Sequence, residues 1–156
     1  MLIEFQQAFA DLVASPALCR EVRDNPALLA ERYRLDEREH AQLVGVVGHR
    51  GMECTCMLYR ANRLAPLVLN LPQVCRALGD GLKAVLDDYW VAYPKTNVHF
   101  IVESHRFCEF LRQELCNGRV VPEAVEAALS VEMPPLSLRL SASYTDLRGV
   151  EETRLL

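Results

Sequence analysis

Helix-starting and helix-stopping residues cut this sequence into short segments, and that punctuation limits its fold more than any other feature. Ser15-Pro16 pairs an N-cap serine with a proline at the first helical position, and Asn25-Pro26 repeats the device. Upstream, Leu2, Phe5, Phe9, Leu12 and Val13 recur at helical spacing, so a helix ends at Ser15 and shorter ones follow at about 16–24 and 26–34. Asp36 and Glu39 form a D-x-x-E capping box ahead of Leu43, Val44 and Val47, and Gly48 stops that helix. The next helix begins near Cys54 and meets Pro66, which is expected to end or kink it because it lacks an amide donor. Pro72 opens a segment to Leu78, Asp80 caps one that closes at Pro94, and Thr96 caps the longest periodic stretch, to Asn117-Gly118. Pro122 starts a short helix to about Leu129, and Pro134-Pro135 breaks the period.

Beyond the proline pair Leu136, Leu138, Leu140, Ala142 and Tyr144 alternate with serine and arginine, a period of two that predicts a strand, with 130–133 as a lesser strand candidate. The expected fold is therefore mostly α, with helical N-terminal and central regions and a small C-terminal β element. Its expected divisions are 1–50, 51–129 and 130–156, packed as one compact unit. A lone strand leaves amides and carbonyls that need a neighbour, so its edge is expected to be open.

At 156 residues, 51% hydrophobic and 24% charged, the chain has the composition of a globular domain rather than of a disordered or fibrous one. Its longest apolar runs are about six residues, far short of the ~20 that a membrane-spanning helix requires. A net charge of -4 with dispersed cations argues against nucleic acid as a partner. Glu4, Gln6 and Gln7 interrupt the opening residues where an export signal would be basic and then apolar, so a cytoplasmic location and six reduced cysteines are expected.

Chemistry-bearing residues are sparse. His99 with Glu103, and His105 with Glu109, each stand four apart and could supply two metal ligands, but the pairs do not share a helix face. Cys54-Thr55-Cys56 lacks C-x-x-C spacing, and the remaining cysteines sit among Leu, Val and Phe as small hydrophobes. No phosphate loop or nucleophile elbow occurs. Tyr59, Arg60, Asn62 and Arg63 are more distinctive: two guanidiniums three apart on a helix repel unless carboxylates meet them, either within the chain or on a docked partner.

Y-R-A-N-R at 59–63, L-P-Q-V-C-R-A-L-G-D at 71–80, Y-W-V-A-Y-P at 89–94 and F-C-E-F-L at 107–111 together resemble a helical family found beside multinuclear non-haem iron oxidases in bacterial peptide-modification clusters. The similar stretch spans about a third of the chain. The resemblance implies an accessory subunit, as in pathways of the 3-thiaglutamate type. There a partner subunit holds iron and oxidatively modifies the C-terminal cysteine of a ribosomally made precursor peptide. It implies a heterodimer with that iron-binding catalytic subunit, no cofactor and no catalytic residue in this chain, and a role in presenting the peptide. That family is labelled DNA-binding, which the acidic charge opposes. D-N-P-A-L-L-A-E-R-Y-R-L-D-E-R-E at 24–39 also resembles a helical module of ring-cleaving dioxygenase small subunits. On this reading Leu136, Leu138, Leu140 and Ala142 form the edge that the peptide joins by strand addition, and Tyr59, Arg60, Asn62 and Arg63 face the partner. The rival readings are a self-contained metal enzyme using His99, Glu103 or Cys56, and a DNA-binding regulator.

Overall fold

The computed structural model describes residues 2–96, 99–118 and 123–153, and these residues are mostly helical with no strand among them. The helices are α1 (Leu2–Ala14), α2 (Pro16–Asp24), α3 (Ala27–Arg32), α4 (Glu37–Gly48), α5 (Arg50–Asn70), α6 (Pro72–Leu78), α7 (Leu82–Ala92), α8 (Phe100–Cys116) and α9 (Glu123–Thr153), with a 3₁₀ turn at Gly79–Gly81. By contacts the chain divides into two units, Met1–Asn62 and Arg63–Leu156, and the division falls inside α5.

In the first unit the caps act as the sequence predicts. Ser15 Oγ accepts from the Leu18 amide at 3.1 Å, Asn25 Oδ1 accepts from the Ala27 amide at 3.3 Å, and Asp36 with Glu39 closes a reciprocal capping box at 2.7 and 3.0 Å. Each cap satisfies a donor that the helix start would otherwise leave bare. The helices so delimited bury Leu12, Val22, Leu29, Leu43 and Val47 together. Phe9, expected on the buried face of α1, is instead 40% exposed.

The second unit is built around α8, whose Phe107, Cys108 and Leu111 are fully buried among Leu67, Leu71, Val74, Tyr89 and Val125. Tyr89 is ringed by aromatics, with Phe107 edge-on at 5.1 Å and Tyr93 tilted at 5.4 Å. Gly79 ends α6 at φ 51, a backbone state in which a side chain would be strained.

Several boundaries refine or differ from the sequence expectation. α5 starts at Arg50 rather than near Cys54, and of the two outcomes open to Pro66, ending or kinking its helix, the first does not occur. The missing amide of Pro66 deprives only the carbonyl of Asn62, an exposed residue where water can take that bond. α8 begins at Phe100 with His99 as its N-cap, not at Thr96, and Val98 and Pro122 lie outside the described residues. The largest correction concerns the expected β element, because Leu136, Leu138, Leu140 and Ala142 belong to α9. Leu136 is 2% exposed and Leu138 is 73% exposed, which a strand with both leucines on one face forbids. The buried and half-buried series Val125, Ala128, Leu129, Glu132, Met133, Leu136 and Leu140 runs at steps of three and four, the helical period. Pro134 and Pro135 sit inside this helix on exposed positions, so the two backbone bonds they delete are lost on a solvated side.

Candidate functional site

Arg63 takes the intrachain alternative for its guanidinium and lies in the interior of the second unit, 2% exposed, rather than on a partner-facing surface. Its Nε and Nη2 donate to Glu103 Oε1 at 2.9 and 2.7 Å, and Nη1 donates to the Pro94 carbonyl at 3.4 Å. Tyr89 Oη donates to the same Glu103 oxygen at 3.2 Å, and the guanidinium carbon stands 5.3 Å from the Tyr89 ring centroid. Burial first, and the Glu103 carboxylate second, drive the Tyr89 hydroxyl well above its ordinary pKa of 10. Arg106 adds a longer contact to Glu103 Oε2, 3.9 Å, and donates to the Lys95 carbonyl at 3.1 Å. The cluster ties α5, α7, α8 and the 93–95 segment together, and it leaves Glu103 committed to cations and a phenol rather than open to a metal.

Of the other residues in that motif, Tyr59 and Arg60 are half-buried and Asn62 is exposed. Of the candidate metal ligands, His99 stands at the N-cap position of α8 without a side-chain cap bond, Glu103 is paired with Arg63, and Cys56 belongs to the first unit. Elsewhere His49 Nδ1 accepts from the Gly51 amide at 3.0 Å, and His40 Nε2 lies 3.0 Å from the Pro26 carbonyl. Among the described residues no three His, Cys, Asp or Glu side chains gather as a metal set. Burial pushes the thiols of Cys75 and Cys108 up to about 11 and about 12, with the Glu132 carboxylate adding to each, so both stay protonated.

Glu132, missed by the sequence reading, is 8% exposed and crosses from α9 to the start of α6. Its two oxygens accept from the Gln73 and Val74 amides at 2.9 and 3.0 Å, supplying the cap that Leu71 cannot. A buried carboxylate at a helix start meets both free donors and the positive end of the peptide dipoles. No sequence signal identifies it, because cap and helix are about sixty residues apart.

Among the described residues of this unit, a cleft of about 580 Å³ opens between α8 and α9. Leu115, Leu129 and Met133 give it apolar walls, Arg112 and Glu126 supply opposite charges, and Ser130 and Pro134 form part of its α9 side. Pro134 has no amide to offer the Ser130 carbonyl, so an acceptor on that wall lacks its helical donor. Arg112 is 61% exposed in its side chain and only loosely held, 3.7 Å from Glu109 and 3.9 Å from Met133 Sδ. Apolar walls with a few placed polar groups are the usual make-up of a ligand site.

Among the described residues no helix is long and apolar enough to cross a membrane. Compared with known protein families, curated proteins and solved structures, the chain matches none.

Proposed function

We propose that this chain is a non-catalytic partner subunit that holds a peptide for an oxidative enzyme whose iron is bound by another chain. The resemblance of residues 59–111 to partners of multinuclear iron oxidases supports the enzyme class, together with a cysteine-terminated, ribosomally made substrate of the 3-thiaglutamate type. The observation that carries the peptide-holding role is the α8–α9 cleft. It takes the place of the strand edge that the sequence suggested at Leu136–Ala142, since those residues are helical. In this reading the peptide's C-terminal carboxylate pairs with Arg112, and one of its amides meets the Ser130 carbonyl. The leucines and Met133 cover the apolar side chain next to the terminus. Asn62, exposed at the junction inside α5, is the candidate for contact with the catalytic subunit.

Calorimetric titration of the purified chain with a peptide ending in a free-carboxylate cysteine tests this. Saturable binding at one peptide per chain is expected, weakened about tenfold or more by Arg112→Ala or by amidating the terminus, as loss of a charge-assisted pair predicts. Equal affinity for the acid and amide peptides would remove Arg112 from the site, and no heat at all would remove the cleft.

A further inference from the structure

The proline that separates α1 from α2 has a second consequence inside the first unit. Pro16 stands four residues after Leu12, so the Leu12 carbonyl, at the end of α1, is denied its helical amide donor. Two buried thiols fill that place. Cys19 Sγ on α2 donates to the Leu12 carbonyl at 3.0 Å, and Cys56 Sγ on α5 reaches the same oxygen at 3.6 Å. The two sulfurs are 4.0 Å apart, and the residues are 4% and 3% exposed.

We propose that Cys19 and Cys56 form a redox couple whose oxidation to a disulfide staples α2 to α5 and at the same time releases the end of α1. The bond requires the sulfurs to close from 4.0 Å to about 2.05 Å, within reach of a side-chain rotation and a small helix shift. The oxidant class is a two-electron peroxide. One thiol attacks the peroxide oxygen, the O–O bond breaks, and a sulfenic acid and water result. The second thiol then attacks the sulfenic sulfur, forming S–S and breaking S–O, so that two thiols and hydrogen peroxide yield one disulfide and two waters. Both S–H donors are consumed, and the Leu12 carbonyl is left to find water. Reduction by a small dithiol restores both donors. Burial, then the neighbouring Cys56, pushes the Cys19 thiol up to about 12, so Cys19 as the attacking thiol reacts more slowly than an exposed one and faster as pH is raised.

Treating the full chain with hydrogen peroxide at mildly alkaline pH, followed by non-reducing peptide mapping and amide hydrogen exchange, tests both halves. The expected result is a Cys19–Cys56-linked peptide lighter by two hydrogens, reversed by dithiothreitol. Amide protection in the last turn of α1, including the Ser15 amide that donates to Asp11, falls about tenfold or more with the linkage. Cys56→Ala must abolish the peroxide-dependent change in exchange. If peroxide modifies only the exposed Cys54 and Cys116, or carries Cys19 and Cys56 to separate sulfinic acids, the couple is refuted. A linked pair with unchanged protection at the end of α1 refutes the release.

Discussion

Arg63 and Glu103 show how one buried ion pair can be both costly and necessary. Removing two charges from water is unfavourable, and the pair is tolerated because Glu103 Oε1 receives three donors and Arg63 also reaches the Pro94 carbonyl. Glu103→Ala leaves a guanidinium buried without its carboxylate, so urea unfolding should show a loss of about 3–5 kcal/mol. The double change Arg63→Met with Glu103→Leu should recover most of that loss, and a double variant no better than the single would contradict this account of the cluster. The tyrosines give a second residue-scale test. Burial, with the Asp11 hydrogen bond of 2.8 Å next, pushes the Tyr33 hydroxyl up to about 12, and Tyr89 lies higher still. A hydroxyl whose pKa is raised on folding stabilises the fold fully below the unfolded value near 10 and loses that contribution as pH climbs through the folded value. Stability should therefore fall between about pH 10 and 12, and Tyr33→Phe should flatten the fall. Ultraviolet titration should show Tyr33 and Tyr89 ionising above the ordinary tyrosine value near 10.

At the scale of elements, punctuation was readable and its strength was not. Ser15, Asn25 and the Asp36–Glu39 box mark helix starts because capping is local chemistry, settled within four residues. The sequence leaves Pro66 to end or kink its helix and makes Pro134-Pro135 a break, yet each of these prolines lies inside a helix. Whether a proline breaks or merely bends a helix depends on whether packing on the opposite face outweighs a lost bond, and that packing comes from distant residues. The same distance effect misled the reading of 136–142, where alternation over a few residues coincided with a helical stripe visible only when 125–133 is included. α9 predicts an asymmetric outcome at two leucines of similar sequence context. Leu136→Ala should cost about 2–5 kcal/mol in chemical denaturation, because Leu136 is buried, whereas Leu138→Ser should stay within about 0.5 kcal/mol. Equal losses at both positions would favour the strand over the helix.

Over the whole molecule, helical class was legible in the sequence, but the candidate site was not. Arg112 attracts no notice in the sequence, Ser130 and Met133 stand out only as the bounds of a lesser strand candidate, and only the juxtaposition of α8 and α9 makes the three neighbours. The sequence leaves Arg63 a choice between an intrachain carboxylate and a docked partner, and Glu103, forty residues away, cannot be matched to it by spacing. The functional account thus joins a cleft seen in the fold to an enzyme class suggested by resemblance, with binding assigned to this chain and oxidation to its partner. Mass spectrometry of a cysteine-terminated peptide incubated with this chain, ferrous iron and oxygen tests that division most directly. The account predicts an unchanged peptide mass with this chain alone and an oxidised product once an iron-binding subunit that co-purifies with it is added. Oxidised peptide from this chain alone would contradict it.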